Sequence, residues 1–267
     1  MNKIQIKNID GNVIFEYEKE NNTIKDTVEE AVKQGVSLCH VYLRYADLRC
    51  ANLSYADLRC ADLSYASLSN VNLSYADLSY ANISNADLRY ANLSYANISD
   101  AYLRYASLSY ANLCGANLDD ADFNCAYLNH ADLKDANFIN AVIIRANFNN
   151  AKNIPYFPIA CPSEGSFIAW KKIIDDEKSY LVKLEIPEDA KRCSATTNKC
   201  RCSKAKVLEI KNLESGESIN KVINYNRLGT IYKVGEMVYP DSFDENRWNE
   251  CSHGIHFFIN KEDAINY

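Results

Sequence analysis

Glycine is scarce in this sequence. There are eight in 267 residues, and Gly115 alone lies between positions 41 and 150. No glycine-rich phosphate loop, P-loop, nucleophile elbow or HExxH motif occurs, which removes the commonest signatures of nucleotide, acyl-transfer and metallopeptidase chemistry. Long apolar runs are missing too. No stretch approaches the ~18 consecutive apolar residues that a membrane-spanning helix needs, so no membrane association is expected. The opening MNKIQIKNIDGNVIFEYE has no apolar core segment and does not read as a secretory signal, so a cytoplasmic protein is expected. In that setting the ten cysteines are expected as free thiols rather than as a disulfide framework. A large excess of one charge is also lacking. A net charge of −6 from 29 basic and 35 acidic residues gives no blanket reason to bind nucleic acid or anionic lipid directly.

What is present is a repeat of five. From Val41 to Asn150 the frame Ala, Asp/Asn, Leu, Ser/Arg, variable runs without a slip through 22 pentads. The Leu position becomes Ile at 83, 98 and 143 and Phe at 123, 138 and 148, and is never polar. A helix turns about 100° per residue, so leucines five apart would spiral around it and bury no stripe. A strand has period 2, so an odd spacing would send successive leucines to opposite faces. Only a chain that turns a corner in every pentad keeps them together. Ala and Leu, two apart, then point inward, and the other three residues point out and carry the bend. Four sides close a square coil of 20 residues, and 22 pentads make about 5.5 coils stacked at the strand spacing of about 4.8 Å. The core of this tube is Leu48, Leu53, Leu58, Leu63, Leu68, Leu73, Leu78 and their successors, including Phe123, Phe138 and Phe148. Small Ala layers alternating with large Leu layers fill such a tube.

The pattern A(D/N)LXX, held over 110 residues, resembles the pentapeptide repeat proteins. That resemblance implies a right-handed quadrilateral β-helix, in a mainly β chain. The flanks suggest the remaining architecture. Residues 1–40 read as an N-terminal cap, since a solenoid end exposes unpaired backbone. KIQIKN and VIFEYE alternate around Asp10-Gly11, a hairpin turn signal. A helix follows, with Thr23 as N-cap, Asp26 three residues on, an apolar face of Ile24, Val28, Ala31 and Val32, and Gly35 as its end. The repeat, with its run-out, is assigned to 41–153. Pro155, Pro158 and Pro162 then mark a boundary. Residues 154–267 read as a C-terminal α+β domain, with strands in SFIAWKKI, SYLVKLEI, KAKVLEIKNL, TIYKVGEMVY and GIHFFIN and a short helix in KEDAINY. EGSFIAWKK, IPEDAKRCSATTNKCRCSKAKVL and RWNECSHGIHFFINKEDAINY in this part resemble an uncharacterised domain often fused to pentapeptide repeats in bacterial and phage proteins.

Residues 20 apart stack in columns on the outside of such a coil. One column is Tyr55, Tyr75 and Tyr95, followed by Gly115 and Asp135; another is Tyr45, Tyr65, Asn85 and Tyr105; a third is Asn52, Asn72, Asn92, Asn112 and Asp132. Such columns can stabilise the stack as side-chain ladders. The tyrosines can also form a face for a protein partner. Some pentapeptide repeat proteins mimic DNA and bind type II topoisomerases, which requires continuous acidic columns. Residues 41–150 hold 11 Asp and no Glu against 7 Lys/Arg. The best acidic column decays from Asp57 and Asp77 into Asn97, Asn117 and Asn137, and arginines at 44, 49, 59, 89 and 104 interrupt the field.

In the C-terminal part, Cys193, Cys200, Cys202, Cys251, His253 and His256 are metal-ligand candidates, but CRC and CSHGIH lack zinc-site spacing, and no metal or other cofactor is expected. Cys251 activated by His253 or His256 is a candidate nucleophile. GIHFFINKEDAINY is similar in shape to a segment of ADP-ribosyltransferases, which would place His256 at a nicotinamide or other nucleotide pocket; the downstream catalytic Glu and the upstream substrate motif of those enzymes are not evident. The reading adopted is a non-enzymatic interaction or scaffold protein with Tyr45, Tyr55, Tyr65, Tyr75, Tyr95 and Tyr105 as its interaction face. Its partner is expected to be a protein, and an aromatic face or imperfectly covered solenoid end favours a homodimer or higher homo-oligomer.

Overall fold

The structure, a computed structural model, describes residues 1–157, 159–194, 196–225, 229–248 and 252–267. Pro158 and Cys251 lie outside the described residues. The chain forms two compact units, Met1–Tyr156 and Phe157–Tyr267.

The first unit opens with strands β1 (Asn2–Lys7) and β2 (Val13–Lys19), paired antiparallel, with Gly11 in the turn at φ +86°. Helix α1 (Ile24–Lys33) starts at a reciprocal capping box. The Thr23 hydroxyl accepts from Asp26 N at 3.1 Å, and the Asp26 carboxylate accepts from Thr23 N at 3.0 Å. The helix buries Thr27, Val28 and Ala31. It ends where Gly35, at φ +68°, donates to Val32 O and Val36 donates to Ala31 O, both at 2.9 Å. The hairpin then pairs with the start of the coil. Tyr42 N donates to Lys7 O and Ile9 N to His40 O, each at 2.9 Å, so backbone groups on that edge are satisfied.

The coil follows from two local facts repeated along the chain. At each corner the amide of the Ala-position residue donates to the carbonyl three back, as in Ala51 N to Leu48 O at 3.1 Å. The residue just before that amide has positive φ, which marks a type II turn. Every fifth residue from His40 to Asn150 has φ between 55° and 66°. Between corners, each short side pairs in parallel with the side 20 residues on, from Tyr42 with Asp62 to Asp132 with Lys152. Leu48 N to Ser67 O at 2.8 Å, Cys50 N to Ser69 O at 3.0 Å and Asn72 N to Ala51 O at 2.9 Å show the ladder.

Inside, Leu48, Leu53, Leu58, Leu63, Leu68, Leu73 and Leu78 are buried, with the Ala column between them. Phe123, Phe138 and Phe148 continue that core; Phe138 packs on the other two at ring separations of 5.5 and 6.1 Å. Burial weakens in the last coil, where Ala136, Ala141 and Ile143 are only half-buried and Ile139, Val142 and Ile144 are exposed at outward positions.

The second unit is built on a seven-stranded sheet. Its strands in chain order are β3 (Phe167–Asp175), β4 (Lys178–Ile186), β5 (Arg192–Ser194), β6 (Lys199–Cys202), β7 (Ala205–Asn212), β10 (Met237–Val238) and β11 (Ile255–Phe258). Across the sheet they run β10-β7-β4-β3-β11-β6-β5. β8 (Lys221–Asn224) and β9 (Thr230–Lys233) form a separate hairpin. Asp176 and Glu177, both at positive φ, make the tight β3–β4 turn. Ala169, Ile173, Val182, Leu184, Val207, Ile210 and Phe257 form the main core. Helix α2 (Lys261–Asn266) puts Ala264 in a second cluster with Leu181 and Phe258. TIYKVGEMVY, expected as one strand, is two: Gly235, at φ +83°, turns the chain so that β9 pairs with β8 and β10 with β7.

Candidate interaction surface of the coil

The corner residues are the outermost side chains of the coil, and many are tyrosines. Tyr55, Tyr75 and Tyr95 stack face to face with ring centroids 5.0 Å apart at each step and interplanar angles of 4° and 11°. Tyr45 and Tyr65 stack at 5.1 Å, and the Arg44 guanidinium lies over both rings at 4.9 and 5.2 Å. Asn85 interrupts that column before Tyr105. A further column follows the same 20-residue spacing: Tyr90, Tyr110 and His130 stack at 4.9 and 4.6 Å. The tyrosines remain partly open to solvent, from Tyr65 at 45% to Tyr55 at 73% exposed.

The Tyr55 column ends at Gly115, beneath the Tyr95 ring. A side chain at Gly115 would place its Cβ 2.6 Å from two carbons of the Tyr95 ring. The one glycine of the coil is the floor on which that ring lies.

Asparagines on the flat sides form amide ladders. Asn72, Asn92 and Asn112 each donate to the Asn Oδ1 one coil earlier, at 3.2, 3.2 and 3.3 Å. On another side Asn137, Asn117 and Asn97 do the same at 2.9, 3.0 and 3.1 Å, the last ending on Asp77 Oδ1. The acidic column read from the sequence is thus for most of its length a neutral ladder.

Within the pentad, arginine pairs with three of the coil's eleven aspartates. Arg49 grips Asp47 through two bonds of 2.8 and 2.6 Å, Arg59 grips Asp57 at 2.7 and 3.0 Å, and Arg89 grips Asp87 at 2.8 and 2.7 Å. Arg104 reaches Asp122 on the next coil. The Arg49 and Arg59 guanidiniums hold the Asp47 and Asp57 carboxyls down at about 2. A duplex carries one charge per about 1.7 Å of axis, and this surface offers no such continuous field.

In the second unit the candidate residues are dispersed. Cys193 on β5 pairs in register with Arg201, whose guanidinium lies 3.4 Å from its sulfur, while Cys200 pairs with Ser194. Neighbours along a strand alternate faces, so Cys193 projects opposite to Cys200 and Cys202. Burial pushes the Cys193 thiol up and the Cys202 thiol up to about 12; a hydrogen bond with Cys161 and burial raise Cys200. Thiols held in this protonated range are weak nucleophiles. Among the described residues no group of three or more His, Cys, Asp or Glu is placed to hold a metal ion. His253 Nδ1 lies 2.9 Å from Asp241 Oδ2 near the surface, and His256, on β11, lines a cleft with Lys171 and Lys199. Among the described residues no helix is long and apolar enough to cross a membrane.

Residues 34–152 match the family model described as pentapeptide repeats (8 copies), in four overlapping stretches, 34–69, 66–104, 96–135 and 121–152. The coil is a pentapeptide-repeat, right-handed quadrilateral β-helix. Residues 157–264 match a family of unknown function, DUF5758. Several solved structures are similar to this chain, three of them as follows. A pentapeptide repeat protein from the cyanobacterium Cyanothece shares 37% identity, covering 34% of this chain and 62% of that one at a TM-score of 0.33. One from the Arabidopsis thaliana thylakoid lumen shares 25%, over 41% of this chain and 70% of that one, at 0.34. A Nostoc pentapeptide repeat protein involved in heterocyst differentiation regulation shares 31%, over 39% and 60%, at 0.23. The match thus spans less than two thirds of the Cyanothece and Nostoc proteins. No curated protein matches the chain.

Proposed function

We propose that the pentapeptide-repeat coil is a non-enzymatic scaffold whose exposed tyrosine columns bind a protein partner. The observation that carries this reading is the Tyr55–Tyr75–Tyr95 stack, ordered before any partner arrives and with about half or more of each side chain exposed. Immobilising a free side chain at an interface costs about 0.5–1.5 kcal/mol, and rings already held by their neighbours lose less. Tyrosine combines a large apolar face with a hydroxyl, the chemistry enriched at binding hot spots. The Tyr45–Tyr65 pair with Arg44 offers a second patch of the same kind, and Tyr105 extends its corner.

The test is quantitative capture from host extract with the full chain, comparing wild type with Tyr55→Ser/Tyr75→Ser/Tyr95→Ser. The circular dichroism of the variant should show an intact coil. A partner retained by wild type and lost with the triple variant supports the proposal, and an identical captured set refutes it.

Self-association is favoured by a separate observation: Ile139, Val142 and Ile144 expose apolar side chains at outward positions of the last coil. Light scattering should show a dimer or larger species that Ile139→Lys/Ile144→Lys converts to monomer. A monomeric wild type would eliminate this reading.

A further inference from the structure

The second unit holds a pair of buried thiols that the scaffold reading does not use. Cys161 lies in the strandless stretch between positions 159 and 166, ahead of β3. Bonds to β5 fix it on both sides. Ala160 N donates to Ser194 Oγ at 2.7 Å. The Arg192 guanidinium donates to Pro162 O at 3.2 Å and to Gly165 O at 2.8 Å. Ser194 is in turn the register partner of Cys200 on β6. The stretch is thereby laid against β6, where Cys161 and Cys200 share a hydrogen bond inside one buried cluster. The other two buried thiols are directed elsewhere: Cys193 meets the Arg201 guanidinium at 3.4 Å, and Cys202 donates to Ile255 O at 3.7 Å.

The two partners are not equivalent. Cys200 sits within a strand and is fully buried, and its hydrogen bond with Cys161, with burial, raises its thiol. Cys161 lies outside any strand and keeps 4% of its surface open, room for an oxidant the size of water. The hydrogen bond with Cys200 lowers the Cys161 thiol; burial opposes that shift, and the Arg192 charge adds to it. Arg192 also donates to Pro187 O and Glu188 O, so these four acceptors are uncharged carbonyls and its positive charge stays beside the sulfur. A thiol next to a guanidinium, with a second thiol in contact, has the features of a redox-reactive cysteine and its resolving partner.

We propose that Cys161 is a site of oxidation by hydrogen peroxide and that Cys200 resolves the product to a disulfide. Cys161 gives up its proton, and its sulfur attacks one peroxide oxygen. The O–O bond breaks, Cys161 becomes a sulfenic acid, and the released hydroxide takes the proton and leaves as water. The Cys200 sulfur then attacks the Cys161 sulfur. The S–S bond forms, the S–O bond breaks, and the hydroxyl departs as a second water with the Cys200 proton. Two thiols and one peroxide give one disulfide and two waters, the sulfurs supplying both electrons. The bridge fastens the strandless stretch to β6, and a dithiol reductant releases it.

The test is peptide mass mapping of the full chain after timed exposure to hydrogen peroxide, with remaining thiols alkylated. A bridge between Cys161 and Cys200 should be the main product of either residue. Cys161 should be consumed at least about tenfold faster than the exposed Cys50, because reactivity follows the local environment of the sulfur more than its exposure. In Cys200→Ser the bridge should vanish and Cys161 should accumulate as a sulfenic acid that dimedone labels. In Cys161→Ser, Cys200 should stay an alkylatable thiol, and Cys202→Ser should still form the bridge. The wild-type map decides the matter even where a serine variant fails to fold. No bridge from Cys161 to Cys200, a main product joining Cys161 to Cys193 or Cys202, a Cys161 rate below the stated margin, or no dimedone label on folded Cys200→Ser would overturn the proposal.

Discussion

Replacing Tyr75 by alanine removes the middle ring of a three-ring stack. Tyr75 meets Tyr55 and Tyr95 at 5.0 Å on either side. An offset-stacked aromatic pair contributes about 0.5–1.5 kcal/mol beyond its area burial, so losing two should cost about 1–3 kcal/mol. Tyr75 also holds a backbone φ of +60°, which penalises any residue with a Cβ by about 1–2 kcal/mol. Alanine keeps that penalty, so the change reports the rings. Asparagine tolerates the left-handed region better, and Tyr75→Asn should lose less stability than Tyr75→Ala. Tyr105→Ala is the comparison, because Tyr105 follows Asn85 and not another tyrosine in its column; it should cost less than half as much. The assay is urea unfolding of the full chain, followed by near-ultraviolet circular dichroism to report the coil's tyrosines. A Tyr55→Ala/Tyr75→Ala double-mutant cycle isolates one stack and should give a coupling of about 0.5–1.5 kcal/mol. A coupling indistinguishable from zero, or equal losses at Tyr75 and Tyr105, would refute the claim that the columns stabilise the coil.

Other changes follow from the same geometry. Gly115→Ala drives a methyl into the Tyr95 ring and strains a φ of +66°, so it should destabilise the coil and weaken the Tyr75–Tyr95 stacking signal in the near-ultraviolet spectrum. Leu73→Ala empties a fully buried position and should cost about 2–5 kcal/mol in the same urea experiment. Asp57 is held at about 2 in the folded coil, first by the Arg59 guanidinium and then by the Ser37 hydroxyl, below its usual carboxylate value. A depressed folded value gives stability that is present above about pH 4 and fades as pH falls toward 2; Arg59→Ala should shrink that acid-dependent part in a pH titration of the unfolding midpoint.

The coil was legible because a five-residue period leaves one solution: Leu73 at its centre, Tyr75 at a corner and Asn72 on a side all follow from position in the pentad. The stacking of Tyr90 on Tyr110 and His130 obeys the same arithmetic. The Asn97–Asn117–Asn137 ladder was legible as a column, though its neutrality depends on amides donating to one another rather than on composition. The second unit gave less. β5, β6 and β8 are three or four residues long, too short for alternation to show. The placing of Cys193 away from Cys200 needed the β5–β6 register. The contact of Cys161 with Cys200 joins a strandless stretch to β6 and depends on Ser194 of β5, which holds Ala160 and pairs with Cys200. No local pattern records such a contact.

The central claim is that residues 20 apart lie one above another. It can be tested with the native Cys50 and the single change Asn70→Cys. Both positions are corners of the same column, and adjacent coils lie about 4.8 Å apart, within the Cα separation of about 4.4–6.8 Å that a disulfide spans. Cys60, in the same protein, stands two corners away and provides the internal control. Mild oxidation followed by peptide mass mapping should yield a cross-link between position 50 and position 70, and none from 50 to 60. A helix would separate positions 50 and 70 by about 30 Å, and a floppy chain would favour the nearer Cys60. Absence of the 50–70 link, or an equal yield of 50–60, would contradict the stacked coil.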